Sequence, residues 1–118
     1  MHSIDFLNQT LTVTVDRPLG SQHPSHGFIY PLNYGYISGV ILPDGDGEAL
    51  DAYLLGVFEP VQQFTGIVIA VIHRTDDNDD KLVVAPAGIS YSDEQIRALT
   101  EFQERFFASE ILRAKSDE

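Results

Sequence analysis

The 118-residue chain contains no cysteine, which excludes disulfides, thiolate metal sites and cysteine nucleophiles together. It has no long apolar run either. The longest, Ile67 to Ile72, falls far short of the ~18 residues a membrane span requires, so no membrane partner is expected. The opening Met1-His2-Ser3-Ile4-Asp5 lacks a basic stretch followed by an apolar one and does not read as an export signal. Absence of a signal and of cysteine sets the expectation of a cytoplasmic protein. Positive charge is scarce: 7 Lys and Arg face 18 Asp and Glu, a formal net charge of -11. A nucleic-acid binder needs the opposite balance. From Pro18 to His73 there is no Lys or Arg at all.

What is there suffices for one globular domain spanning residues 1–118. The hydrophobic fraction is 43% and the mean hydropathy -0.06, values of a chain able to bury an ordinary core. Leu11-Thr12-Val13-Thr14-Val15 alternates apolar and polar with β-branched residues and reads as a half-buried strand. Pro18 ends it, lacking a donor for the ladder. Phe28 to Ile41 is aromatic and β-branched but interrupted by Pro31, Gly35 and Gly39, so two short strands with a bend are expected. Further strands are expected over 52–57, 66–74 (buried on both faces, because it does not alternate) and 82–85. Ser92-Asp93-Glu94-Gln95 forms a capping box. Ile96, Leu99, Phe102, Phe106 and Ile111 then predict a helix to about Arg113, with Glu101 and Arg105 paired on its other side. The expected class is mainly β (α+β): a small curled sheet or five-stranded barrel with a C-terminal helix packed on it.

Eight of the acids sit in two short segments, Asp44 to Asp51 and Asp76 to Asp80, with four carboxylates in each. Asp-Gly is a common hairpin signal, and a hydrated turn explains either segment alone. A turn does not explain Asp51, which stands where the next strand begins, in a residue class strands disfavour. No basic residue lies near it in sequence. Two crowded acidic loops in one domain point to a hard divalent cation, which takes oxygen ligands. An EF-hand is excluded, since counting from Asp44 puts Ala49 where the loop needs Gly and Leu55 where it needs Glu. The four histidines show no zinc spacing.

Tyr30-Pro31-Leu32-Asn33-Tyr34-Gly35-Tyr36-Ile37, followed by Asp44-Gly45-Asp46-Gly47-Glu48-Ala49-Leu50-Asp51, resembles the soluble (family I) inorganic pyrophosphatases. Their Tyr-Pro-x-Asn-Tyr-Gly-Tyr-Ile strand leads into an Asp-Gly-Asp-Pro-x-Asp metal signature. The segment Asp76 to Pro86, with Lys81-Leu82-Val83, is similar to their later Asp-rich loop. The resemblance implies a barrel of the pyrophosphatase (OB-like) type and Mg²⁺-dependent hydrolysis of pyrophosphate to two orthophosphates. Several Mg²⁺ ions, with Mn²⁺ as a substitute, and a homo-oligomer are implied with it.

By position, the resemblance makes Arg17, Lys81 and Tyr34 substrate-binding, with Tyr34 also catalytic. It makes Asp44, Asp46, Asp51, Asp76 and Asp79 metal ligands, and Asp46 or Glu48 the group that orients or deprotonates water. Two extra residues between Tyr36 and Asp51 leave the first signature open. Counting back from Asp51 selects Asp46 and Glu48; counting forward from Tyr36 selects Asp44 and Asp46. Phe106-Phe107 stand where the family has a phosphate-contacting Tyr-Lys pair, and Met1 to Asp5 contains no lysine. These departures keep a second reading open, a catalytically impaired member serving as a metal-dependent or oligomeric interaction module.

Overall fold

Six strands, one 3-10 turn and one α-helix make up the computed structural model, which describes residues 3–41, 49–76 and 79–114. In chain order they are a 3-10 turn Ser3–Phe6, β1 Thr10–Arg17, β2 Asn33–Ile41, β3 Ala49–Leu54, β4 Gln63–Arg74, β5 Asp80–Ala85, α1 Asp93–Glu104 and β6 Ser109–Leu112. The sheet runs β1-β2-β3-β5-β4-β6, and an additional β1–β4 pairing closes the first five strands into a barrel. Every pairing is antiparallel except β3 with β5. The expected five-stranded barrel is therefore the one that forms, with β6 as an outer addition. Among the described residues, no helix is long and apolar enough to cross a membrane.

Two cores share one sheet. Inside the barrel, Val13, Ile37, Ala52, Leu54, Val68 and Val84 are buried together, with Phe6 packed against them. On the outer face, Tyr30, Tyr34, Tyr53, Ile72, Val83 and Ile96 form a second cluster beneath α1. A bulge between Val68 and Ala70 in β4 accounts for the broken alternation in that strand. Val68 and Val71 face the interior, while Ala70 and Ile72 face outwards, so one residue of slip serves both cores. Gly35 is needed for closure: a Cβ there would meet the Thr14 carbonyl oxygen at 1.9 Å.

Three expectations change. The segment 28–41 forms one strand starting at Asn33, and only an isolated Gln22–Ile29 bridge precedes it. β3 begins three residues earlier than expected, so Asp51 lies within the strand and not at its start. The helix ends at Glu104 instead of running to Arg113, and Ile111 pairs with Ile72 in β6. The reason lies in β4, whose first half pairs with β1 and whose last turn of sheet would otherwise be unpaired on that side. Thr75 N–H donates to the Ala108 carbonyl at 2.9 Å, and Ala108 N–H donates to Asp76 Oδ2 at 3.1 Å. These two bonds turn the chain back onto β4. The helix start is as expected, with reciprocal Ser92–Gln95 bonds of 2.8 and 3.1 Å, and Arg105 donates to Glu101 at 2.8 Å.

Candidate functional site

A cleft of about 520 Å³ opens on the outer face of the barrel, lined by residues of all five barrel strands, the loop before β2, the end of α1 and the segment just after it. The strand register builds its floor. The parallel β3–β5 pairing sets Asp51 directly beside Lys81. Lys81 Nζ donates to Asp51 Oδ2 at 2.6 Å and to Asp79 Oδ2 at 3.0 Å. The partner that the sequence neighbourhood of Asp51 does not contain is thus supplied thirty residues later. Lys81 is only 4% exposed. Burial alone would lower its pKa, but Tyr34, Asp51 and Asp79 outweigh burial and raise it. Lys81 therefore stays charged at neutral pH.

Tyr34 faces Tyr53 across the β2–β3 ladder and lies in the buried outer cluster, with its ring centroid 6.0 Å from Lys81 Nζ. Burial pushes its phenol pKa up, so it remains a hydrogen-bond donor. Arg17 reaches the cleft by a different device. Val13 and Val15 pack on the barrel interior, and simple alternation would turn Arg17 inwards as well. A bulge between Val15 and Arg17 reverses that, and Arg17 lines the cleft opposite Tyr34.

Sequence reasoning missed a buried polar network that adjoins the cleft. Arg74 and Glu104 form a bidentate pair, Nε to Oε1 at 3.0 Å and Nη2 to Oε2 at 2.8 Å. Tyr53 O–H donates to Glu104 Oε2 at 2.6 Å, Gln103 Nε2 donates to Tyr53 Oη at 2.8 Å, and Tyr30 O–H donates to Gln103 Oε1 at 3.0 Å. Every member is buried and hydrogen-bonded, the condition under which polar groups persist in a core. Burial would lower the Arg74 pKa, but its bonds and charge contact with Glu104 raise it. Burial, then the Glu104 charge, pushes Tyr53 up. Arg74 also lies 3.7 Å above the Phe107 ring and 3.6 Å from Asp79. A helix stripe of Ile96, Thr100, Gln103 and Glu104 is the signal that could have revealed this network: its spacing is that of a buried face, although its residues are polar.

Of the expected metal ligands, Asp51 and Asp79 are brought to one point. Asp76 is not with them; it is exposed and accepts the Ala108 amide. Asp80 binds His73 Nδ1 at 2.6 Å and accepts from the Ser3 hydroxyl. Asp44, Asp46 and Glu48 lie outside the described residues. Among the described residues, no three His, Asp or Glu side chains converge as a metal cluster. The described donor set still suits Mg²⁺ in kind, since two hard carboxylates meet at one cleft edge and this ion keeps several waters.

Neither models of known protein families nor curated protein sequences match the chain. Solved structures do. An inorganic pyrophosphatase from Ehrlichia chaffeensis superposes with a TM-score of 0.66 at 16% identity, over 88% of this chain and 85% of that one. One from Coxiella burnetii gives 0.60 at 18% identity over 93% and 88%, and one from Neisseria gonorrhoeae gives 0.57 at 20% over 96% and 83%. The fold is that of the inorganic pyrophosphatases. At these identities the likeness concerns the pyrophosphatase fold alone. Within it, this chain joins Asp51, Asp79, Lys81, Arg17 and Tyr34 in and around one cleft, and adds the Arg74–Glu104 pair behind them.

Proposed function

We propose that the chain hydrolyses inorganic pyrophosphate to two orthophosphates in a Mg²⁺-dependent reaction. The observation that carries this reading is the convergence of Asp51 and Asp79 on Lys81, in a cleft also lined by Arg17, Arg74 and Tyr34. Asp51 and Asp79 would hold Mg²⁺, or Mn²⁺ in its place, together with Asp46 and either Asp44 or Glu48 from the first acidic segment. When bound there, the ion supplies charge compensation and a more acidic water. Lys81 and Arg17 offset charge on the phosphoryl oxygens, and Tyr34 donates to one of them. Asp46 or Glu48 accepts the proton of the attacking water. Water oxygen bonds to one phosphorus, the bridging P–O bond breaks, and the second phosphate leaves with the bridging oxygen. Where the resembling family has a lysine, this chain has Phe107, whose ring packs against the Glu104-paired Arg74 guanidinium. A cytoplasmic homo-oligomer belongs to the same reading.

The test is phosphate release from pyrophosphate with and without Mg²⁺. Release that needs the ion and is lost in Lys81→Met supports it; no release under any divalent ion defeats it. The engagement of Asp76 by the Ala108 amide, apart from Asp51 and Asp79, favours one second reading, a pyrophosphatase-fold interaction module without catalysis. That reading predicts a Mg²⁺-dependent melting shift in a protein that releases no phosphate.

A further inference from the structure

Part of the cleft wall is of no use to a bare polyanion. Phe28, His26 and Phe106 line it, and their rings share one orientation. The interplanar angles are 4° for His26–Phe28, 18° for His26–Phe106 and 20° for Phe28–Phe106, with centroids 6.2, 5.3 and 6.4 Å apart. Phe106 is 53% exposed, and His26 is exposed as well. A preformed platform of parallel rings with open area suits stacking of another flat ring. Pyrophosphate, all oxygen at its surface, gains nothing from it. The cleft's volume of about 520 Å³ lies within the ~300–1,000 Å³ of pockets that enclose organic ligands.

The platform connects to the charged floor. Phe28 lies 5.5 Å from Tyr30, and Tyr30 lies 5.8 Å from Tyr34, whose ring neighbours Lys81. The imidazole of His23 is part of the same wall and does not add a phosphate-binding cation. Its Nδ1 accepts from the Ser25 and His26 amides, both at 3.0 Å, which fixes the neutral ring with its proton on Nε2. One end of the cleft thus handles anionic oxygens, and the other offers flat rings.

We propose that this cleft binds a phosphoanhydride bearing an aromatic base, a nucleoside di- or triphosphate, with the base on the Phe106–His26 platform and the phosphates towards Arg17 and Lys81. The proposal rests on the reading of the floor as a phosphate site but does not require hydrolysis. Calorimetry in Mg²⁺ with ADP and with methyl diphosphate, which carries the same ester and anhydride without a base, separates the two. ADP should bind about tenfold tighter or more. Phe106→Ala, at an exposed position, should reduce the ratio of the two affinities by a similar factor, and His26→Ala should reduce it as well. Equal wild-type affinities, or a Phe106→Ala that weakens both ligands alike, would overturn the platform while leaving pyrophosphate hydrolysis standing. Binding of neither overturns it too. Failure to release phosphate from pyrophosphate, with ADP still preferred, removes only the catalytic reading.

Discussion

Arg74 and Glu104 are joined by two parallel hydrogen bonds while their side chains are only 7% and 8% exposed. The pair fastens the last turn of α1 to β4 at the back of the cleft, and Tyr53 adds a third bond from β3. Removing one partner leaves the other charged and buried. Glu104→Leu alone should therefore cost ~3–5 kcal/mol, and Arg74→Met with Glu104→Leu should cost less than either single change. Urea unfolding of the three variants decides it; additive losses would mean the two side chains act independently.

Phe107→Lys is the change that the family resemblance would suggest for regaining a phosphate contact. The position of Arg74, 3.7 Å above that ring, argues the reverse. A lysine there loses the cation–π contact and brings a like charge to a buried guanidinium. The expected result is a lower melting temperature and no gain in kcat/KM; a lower KM at unchanged stability would refute it.

Asp51→Asn tests the floor of the cleft. Crowded acids without partners would make this substitution neutral or stabilising in the absence of metal. Lys81 changes the sign, because it is buried and holds Asp51 at 2.6 Å. The variant should be less stable without Mg²⁺, and should lose both hydrolysis and most of the melting shift that Mg²⁺ produces. An ion that binds only the folded protein adds about 2.7 kcal/mol at a hundredfold excess over Kd. Equal ionic strength of NaCl should do much less, and a matching shift with NaCl would remove the metal site.

His23 sets a pH response in the loop before β2. Burial, His26 and Arg17 hold its pKa below the ordinary histidine value. With the folded pKa depressed, the unfolded chain takes up the proton first, so its contribution is complete above ~6.5 and is lost as pH falls below that. Protonation of Nδ1 removes the acceptor for the Ser25 and His26 amides. Exchange protection of those two amides, corrected for intrinsic rate, should fall on acidification towards about pH 5. Unchanged protection would show that Nδ1 is not their acceptor.

Gly35→Ala should be the most damaging single methyl. Its Cβ would sit 1.9 Å from the Thr14 carbonyl oxygen and 2.7 Å from the carbonyl carbon, both backbone. The β1–β2 ladder must part to admit it, at a cost of ~3 kcal/mol or more. A urea midpoint within error of wild type would contradict that close approach.

Much of the barrel was legible because its strands obey simple periodicity. Val13 and Val15 alternate with polar neighbours, the 67–72 run is apolar throughout, and Ser92-Asp93-Glu94-Gln95 makes both bonds of its box. The motif resemblance singled out Lys81, Asp51 and Asp79 one by one; their ion pairing follows from the β3–β5 register, which no motif states. Helical spacing misplaced Ile111 because an apolar residue every few positions fits a helix, whereas what recruits 109–112 is an unpaired stretch of β4 far away in sequence. It missed Glu104, Gln103 and Arg74 for a related reason. Charged and amide side chains on a helix read as its wet side, and only the partners from β3 and β4 make that side dry. The turn of Arg17 towards the cleft depends on one bulge that no local pattern announces.

The changeover of partners along β4 bears on how the molecule comes apart. Its beginning bonds to residues 10–14, its end to 109–112 and its other edge to 80–85. No stretch of chain can complete this strand until segments from both halves of the sequence have arrived, a topology dominated by distant contacts. Opening and closing should consequently be slow and all-or-none, with the cleft floor sharing the fate of the barrel rather than breathing by itself. Occupancy of that cleft will therefore register in the lifetime of the whole native state, which makes the rate of global unfolding a ligand detector built into the topology.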